Sequence, residues 1–370
     1  MRNIPSLTGL RGLAAVWVML FHIYQQAPAL GAPWITKLGI FAVGWTAVDL
    51  FFVLSGFILM WVHSAEFARP TGSAVRGFAV TRILRVYPLS LVVLGLIVAI
   101  AWADPSFVAG YKTVNPANFS ASSLLRTALL ATRWVRGDGG EWNQPVWSLS
   151  AELVGYAAFP LLAWCMLGLS QRVAGVIAAI SLAGLAAYEI LAGFAGENLI
   201  DQTPALARMG CCFVAGMAIC RVRRLNLDKT FPYAAEAALI CAIGVGIFGH
   251  FKLGPLFAPA VFTLLIFFLS FGTGRLDRFL SSRPMMFLGR ISFPLYLVHV
   301  MPLFWLVWHF RNTSLRPLEA SGIIVVYIFV NIGMATLLHY LVERPSQRLA
   351  QNRLRPMLVV GFKKIQASRS

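Results

Sequence analysis

Arg11 and His22 stand eleven residues apart in the apolar run that opens the chain. On a helix this spacing is a rotation of about 1,100°, three turns plus roughly 20°, with a rise of about 16 Å. The two side chains therefore share one face at different depths. A guanidinium at a membrane surface can hold a phosphate, and an imidazole deeper in can take a proton from a hydroxyl. The pair thus suits a phosphorylated donor threaded inward. A surface anchor and an interhelical hydrogen bond account for the same two residues equally well.

The run GWTAVDLFFVLSGF puts Asp49 among apolar residues, where a carboxylate needs a partner. His22 is the expected one, because a carboxylate orients an imidazole and stabilises its protonated form. A purely structural pair is the alternative. In the same run Gly44 and Gly56 would let helices approach closely, and Ser55 would make an interhelical bond. Arg82 and Arg85 lie one turn apart, so both forks can face one anion, a donor phosphate or a lipid phosphate.

In QPVWSLSAELVGY, Ser148 and Glu152 share a face at i and i+4. A desolvated Glu152 could bind acceptor hydroxyls or act as a base towards them. A helix cap accounts for Ser148 and an aromatic belt for Trp147 at least as well. In LGRISFPLYLVH, Ser292, Tyr296 and His299 recur at i, i+4 and i+7. A polar stripe in lipid should face a cavity, as site wall or oxyanion donors; a satisfied structural histidine is the competing account of His299. Glu343, Arg344 and Pro345 need no more than an ion pair and a helix stop. No GxSxG elbow occurs, which leaves a serine hydrolase mechanism with little support. The five cysteines, Cys165, Cys211, Cys212, Cys220 and Cys241, show neither metal-ligand nor redox spacing, so no metal is expected.

The elements that must position these residues follow from composition. The 370 residues are 58% hydrophobic and 12% charged, with a mean hydropathy of +0.73, against roughly 25% charged in a soluble domain. The pattern predicts an all-α, polytopic membrane bundle of about ten transmembrane helices, at 10–28, 40–62, 84–103, 146–168, 173–194, 205–221, 233–250, 256–274, 286–308 and 321–341. The first run lacks a small-residue cleavage pattern and reads as a retained helix. The net charge of +17 is spread between the apolar runs, which excludes a nucleic-acid surface. With alternating spans most Lys and Arg fall on the side of the amino terminus, and the positive-inside rule then makes both termini cytoplasmic. The basic segments 64–85, 221–229 and 274–284 could hold a polyanionic donor or answer anionic lipid. The longest outer segment, 104–145, carries Tyr111, Trp134 and Trp142. No internal repeat is evident, so one membrane domain, 1–345, is expected, followed by a basic cytoplasmic tail, 346–370.

Six motifs in order, SLTGLRGLAAVWVMLFH, VDLFFVLSGF, RILRVYP, WSLSAE, LGRISFPLYLVH and VERP, resemble the acyltransferase 3 family over nearly the whole chain. The likeness is greatest to its single-domain exopolysaccharide and O-antigen O-acetyltransferases. The resemblance implies an O-acyltransferase of the bacterial inner (plasma) membrane, with acyl-CoA, acetyl-CoA by default, as co-substrate and no bound cofactor. It implies a carbohydrate hydroxyl as acceptor, and membrane lipid as surroundings. His22 would be the leading catalytic residue, Arg11, Arg82 and Arg85 would bind the donor, and Asp49 and Glu152 match the family's acidic positions. Ala47 replaces the usual glycine before Val-Asp. No hydrolase-like domain follows, so transfer is expected within the membrane domain unless a partner protein receives the acyl group. Trp142 and Trp147, with Trp134, are candidates for stacking on a sugar, against a belt role. Two other readings stay open: a transporter or exporter of acylated glycans, in which buried His and Asp relay protons, and an acyltransferase for a lipid-linked or small secondary-metabolite acceptor. The oligomeric state has no sequence signal.

Overall fold

The computed structural model describes residues 4–114, 117, 119–134, 141–194, 205–226, 231–247, 254–313 and 315–354. The tail beyond 354, residues 135–140 of the outer segment and the side chain of Tyr111 lie outside that description. The described residues are helical and contain no strand. In order the helices are α1 (Pro5–Gln26), α2 (Gly39–Ala42), α3 (Ala47–Phe67), α4 (Gly72–Ala103), α5 (Pro105–Val114), α6 (Ala121–Ala128), α7 (Val146–Leu167) and α8 (Gln171–Phe194). They continue as α9 (Ala205–Arg224), α10 (Ala234–Ile247), α11 (Gly254–Leu269), α12 (Gly274–Leu280), α13 (Arg283–Val298), α14 (Val300–Phe310), α15 (Pro317–Leu338) and α16 (Arg344–Leu349). A π-helical turn, His339–Glu343, joins α15 to α16.

Local chemistry sets the starts. Pro5 and Pro317 occupy the first turn of α1 and α15, where the missing N–H costs nothing. Thr71 caps α4, its hydroxyl accepting from Ala74 N at 3.2 Å.

Among the described residues, seven helices are long and apolar enough to cross a membrane, or nine if the bent pairs α11/α12 and α13/α14 each count as one span. The expected seventh span, 233–250, appears as α10, of which 14 residues are described, against the ~20 needed to cross unaided; 248–250 lie outside the description. The expected span 256–274 is α11, which ends at an 89° turn into α12, and the expected span 286–308 is bent by 50°. The second bend falls at His299, between α13 and α14. Large apolar side chains on the outside, such as Ile180, Leu191 and Phe329 at 66–69% exposure, are what a lipid-facing surface requires.

Two glycine contacts decide the packing around the site. A Cβ on Gly12 of α1 would lie 2.6 Å from Gly289 N on α13, and one on Gly289 would strike Thr8 O. On the other side of α3, a Cβ at Gly56 would strike Phe213 O, and one at Gly216 of α9 would strike Val53 O. Small residues thus bring α1 onto α13 and α3 onto α9 backbone to backbone, as in other membrane bundles.

Candidate active site

The close approach of α1 and α13 sets Arg11 beside Ser292, with Arg11 Nη2 donating to Ser292 Oγ at 3.1 Å. Ser292 and Tyr296 lie one turn apart on α13, so the stripe continues along the same face. Tyr296 meets Ser148 of α7, hydroxyl to hydroxyl, at 2.7 Å. One turn further along α7, Glu152 accepts from Ser55 of α3 at 2.5 Å. Arg82 and Arg85 enter from α4, Arg82 packing over the rings of Phe78 and Tyr156 at 5.4 and 5.8 Å.

All these groups line one cavity of about 130 Å³. Its wall includes Arg11, Arg82, Arg85, Ser148, Glu152, Ser292 and Tyr296, together with Ser55 and Tyr156. The charged lining is three guanidinium groups against one carboxylate. Arg82 Nε is buried with no hydrogen-bond partner among the described residues. An excess of positive charge in a mostly apolar bundle is costly unless an anion answers it. The cavity lies below the ~300–1,000 Å³ that encloses a drug-sized ligand, so in this form it suits a small group rather than a whole nucleotide.

His22 does not line this cavity. It stands beyond Tyr296, where its ring lies edge-on to the ring of His299 with centroids 4.9 Å apart. His22 Nδ1 is 3.0 Å from Val18 O and 3.2 Å from His299 Nε2. His299 is fully buried, and Tyr296 lies next to it with ring centroids 6.0 Å apart.

Asp49 is not the partner of His22. It points to α9, where the Arg208 guanidinium donates to both its oxygens, at 2.5 and 2.6 Å. Arg208 lies near the start of an apolar helix and needs a counter-charge; a carboxylate matches its fork with two parallel bonds. The close packing of α3 on α9 through Gly56 and Gly216 makes that pairing the available one.

Trp142 and Trp147 do not line the cavity either. Trp142 Nε1 donates to Ser120 O at 2.9 Å and its ring meets Phe119 edge-on, which holds the stretch before α7 against the rest of the same segment. Trp147 packs edge-on against Phe52. Trp134 donates to Ser150 O at 2.8 Å. Glu343, at the end of the π-turn, holds His339 and Gln347 at 2.7 and 2.9 Å. Among the described residues no three His, Cys, Asp or Glu side chains gather as metal ligands.

Sequence reasoning missed Tyr156 and Arg208. Tyr156 extends Ser148 and Glu152 to i+8 on the same face of α7, a periodicity visible in the sequence. Arg208 is a lone charge inside an apolar run, which by itself calls for an acidic partner.

The model of the family described as acyltransferase domain matches residues 4–340 of this chain. The chain belongs to that family. This acyltransferase is 29% identical to acyltransferase MdmB of Streptomyces mycarofaciens over 95% of its own length and 93% of the relative's. It is 21% identical to O-acetyltransferase OatA of Staphylococcus aureus (strain NCTC 8325 / PS 47), over 98% of its own length and 58% of the relative's. It therefore spans nearly all of MdmB and little more than half of OatA. No solved structure matches it. With its apolar helices, it is a multi-pass membrane acyltransferase.

Proposed function

We propose that this acyltransferase moves an acyl group, acetyl in the simplest case, from acyl-CoA to a hydroxyl of a cell-surface or exported carbohydrate. One observation carries the donor: three arginines and a single carboxylate line a cavity in an otherwise apolar bundle. The phosphates of CoA are anions of the kind such a cavity needs, and arginine forks match phosphate oxygens in pairs. Arg82 and Arg85 hold the donor from α4, and Arg11, braced by Ser292, holds it from α1. The basic segments next to these helices favour an arginine end at the cytoplasmic face of a bacterial inner membrane, with both termini on that same side.

Chemistry then needs a base, oxyanion donors and an exit for the thiol. His22 takes the proton of the acceptor hydroxyl as that oxygen forms a bond to the thioester carbonyl carbon. The hydroxyls of Ser148 and Tyr296, 2.7 Å apart at the cavity end nearest His299, are the groups that turn to donate to the resulting oxyanion; at rest Ser148 donates to Pro145 O at 3.1 Å and accepts from Tyr296. Collapse breaks the carbon–sulfur bond, and His22 returns its proton to the departing thiolate, leaving an ester and CoA-SH. Glu152, already bonded to Ser55, is set to accept from a sugar hydroxyl and so to orient the acceptor.

The test is acceptor-dependent release of CoA from acetyl-CoA by the purified full chain, with extracted cell-surface glycans as acceptors. Wild type and His22→Ala are compared at matched folding. Release by wild type and its loss in the variant support donor and base together. Equal release by both removes His22 as the base, and failure with a panel of acyl-CoA donors and acceptors overturns the donor.

A further inference from the structure

Both imidazoles of the His22–His299 pair present Nδ1 to backbone carbonyls. His299 Nδ1 lies 2.9 Å from Tyr296 O and 3.2 Å from Leu295 O, and His22 Nδ1 lies 3.0 Å from Val18 O. A carbonyl oxygen only accepts, so in each neutral ring the proton sits on Nδ1. His299 Nε2 is then a bare lone pair, and it faces His22 Nδ1 at 3.2 Å. The His22 Nδ1–H is shared between Val18 O and that lone pair. The hydrogen-bond chain runs one way, from His22 to His299 to the α13 backbone, and leaves His22 Nε2 unprotonated.

The fold holds His299 firmly in this role. It sits at the 50° break between α13 and α14, is 0% exposed, and its own carbonyl accepts from Tyr327 OH of α15 at 2.5 Å. At this break the ring bonds back to two α13 carbonyls through Nδ1 and reaches His22 of α1 through Nε2. His22, by contrast, is only half-buried. The nitrogen it has left to offer a reactant is Nε2.

We propose that His299 is a positioning residue that holds the tautomer of His22 together with Val18 O, a carbonyl already engaged in the α1 ladder, in the place that Asp49 would have held. This rests on His22 being the base, and deepens that reading. A base at Nε2 must arrive without its proton, and the wrong tautomer would present a donor to the acceptor hydroxyl.

The experiment uses the full-length protein in lipid nanodiscs, with 15N-imidazole NMR of the resting state and acyl-transfer kinetics on the same samples. Wild type is expected to show His22 with Nδ1 protonated and Nε2 bare. His299→Leu is expected to mix in the opposite tautomer and lower kcat by about 10–100-fold, the range for losing a group that orients a histidine, with KM for the donor unchanged. His299→Gln supplies a carbonyl oxygen to accept from His22 Nδ1 and is expected to recover most of kcat. A protonated Nε2 on wild-type His22 overturns the proposal even if His299→Leu does not fold. So does a folded His299→Leu whose His22 signals and kcat match wild type. If His22→Ala keeps its activity while the NMR is as expected, the base reading fails and the tautomer assignment stands.

Discussion

Asp49 is gripped by both arms of the Arg208 guanidinium, with the ring of Trp45 stacked 4.4 Å from the same cation. The pair is almost wholly buried and ties α3 to α9. It is a structural clamp standing behind the cavity wall.

Breaking that clamp should cost stability before chemistry. Asp49→Ala leaves a buried guanidinium unpaired, for which about 3–5 kcal/mol is expected. Replacing both partners, as in Asp49→Leu with Arg208→Met, should restore most of it. Thermal unfolding in detergent measures the loss, and the folded fraction of Asp49→Asn should keep kcat within about twofold. A large fall in kcat at unchanged stability would return Asp49 to the reaction.

The arginine cavity should read out as donor affinity. Arg85→Gln removes one charge-assisted bond, worth ~1.5–3 kcal/mol, so KM for acetyl-CoA should rise about 10–100-fold with kcat little changed. Steady-state kinetics in the purified protein decides it. An unchanged KM would assign Arg85 to lipid headgroups.

Gly12 should tolerate no side chain. Its Cβ would meet the Gly289 backbone at 2.6 Å, so Gly12→Val is expected to cost at least ~1–3 kcal/mol and to separate Arg11 from Ser292. Gly95→Ala, with nothing within 4 Å of the added carbon, should melt as wild type does. Parallel melting curves of the two variants provide the comparison.

The outer segment should loosen as pH rises. Burial pushes the Glu141 carboxyl up from 4.5 to about 7, against the pull of Arg133, 3.0 Å away, and of Arg126. A raised carboxyl binds its proton more tightly folded than unfolded. Its contribution is therefore full below about pH 4.5 and falls away as pH climbs to about 7, by up to ~3 kcal/mol. Amide exchange in 119–134, corrected for intrinsic rate, should rise across that window and flatten in Glu141→Gln. Identical pH dependence in both would assign the effect to another group.

The amino-acid sequence by itself determined the helical class, the membrane setting, the family and most of the polar lining of the cavity. Apolar run length is a local property, and a polar residue inside such a run must find a partner. The spacings Ser148–Glu152 and Ser292–Tyr296 therefore marked the cavity-facing sides of their helices, whereas His299, expected on the same stripe, lies off the cavity wall against His22. Which face meets which was decided only by tertiary structure. Asp49 had two possible partners, His22 and an arginine elsewhere, and the Gly56–Gly216 contact that seats α3 on α9 selected Arg208. His22 went instead to His299, because the chain bends at that residue and Gly12 lets α13 lie against α1. A bend angle and a backbone-to-backbone approach depend on residues hundreds of positions apart, which no local pattern encodes.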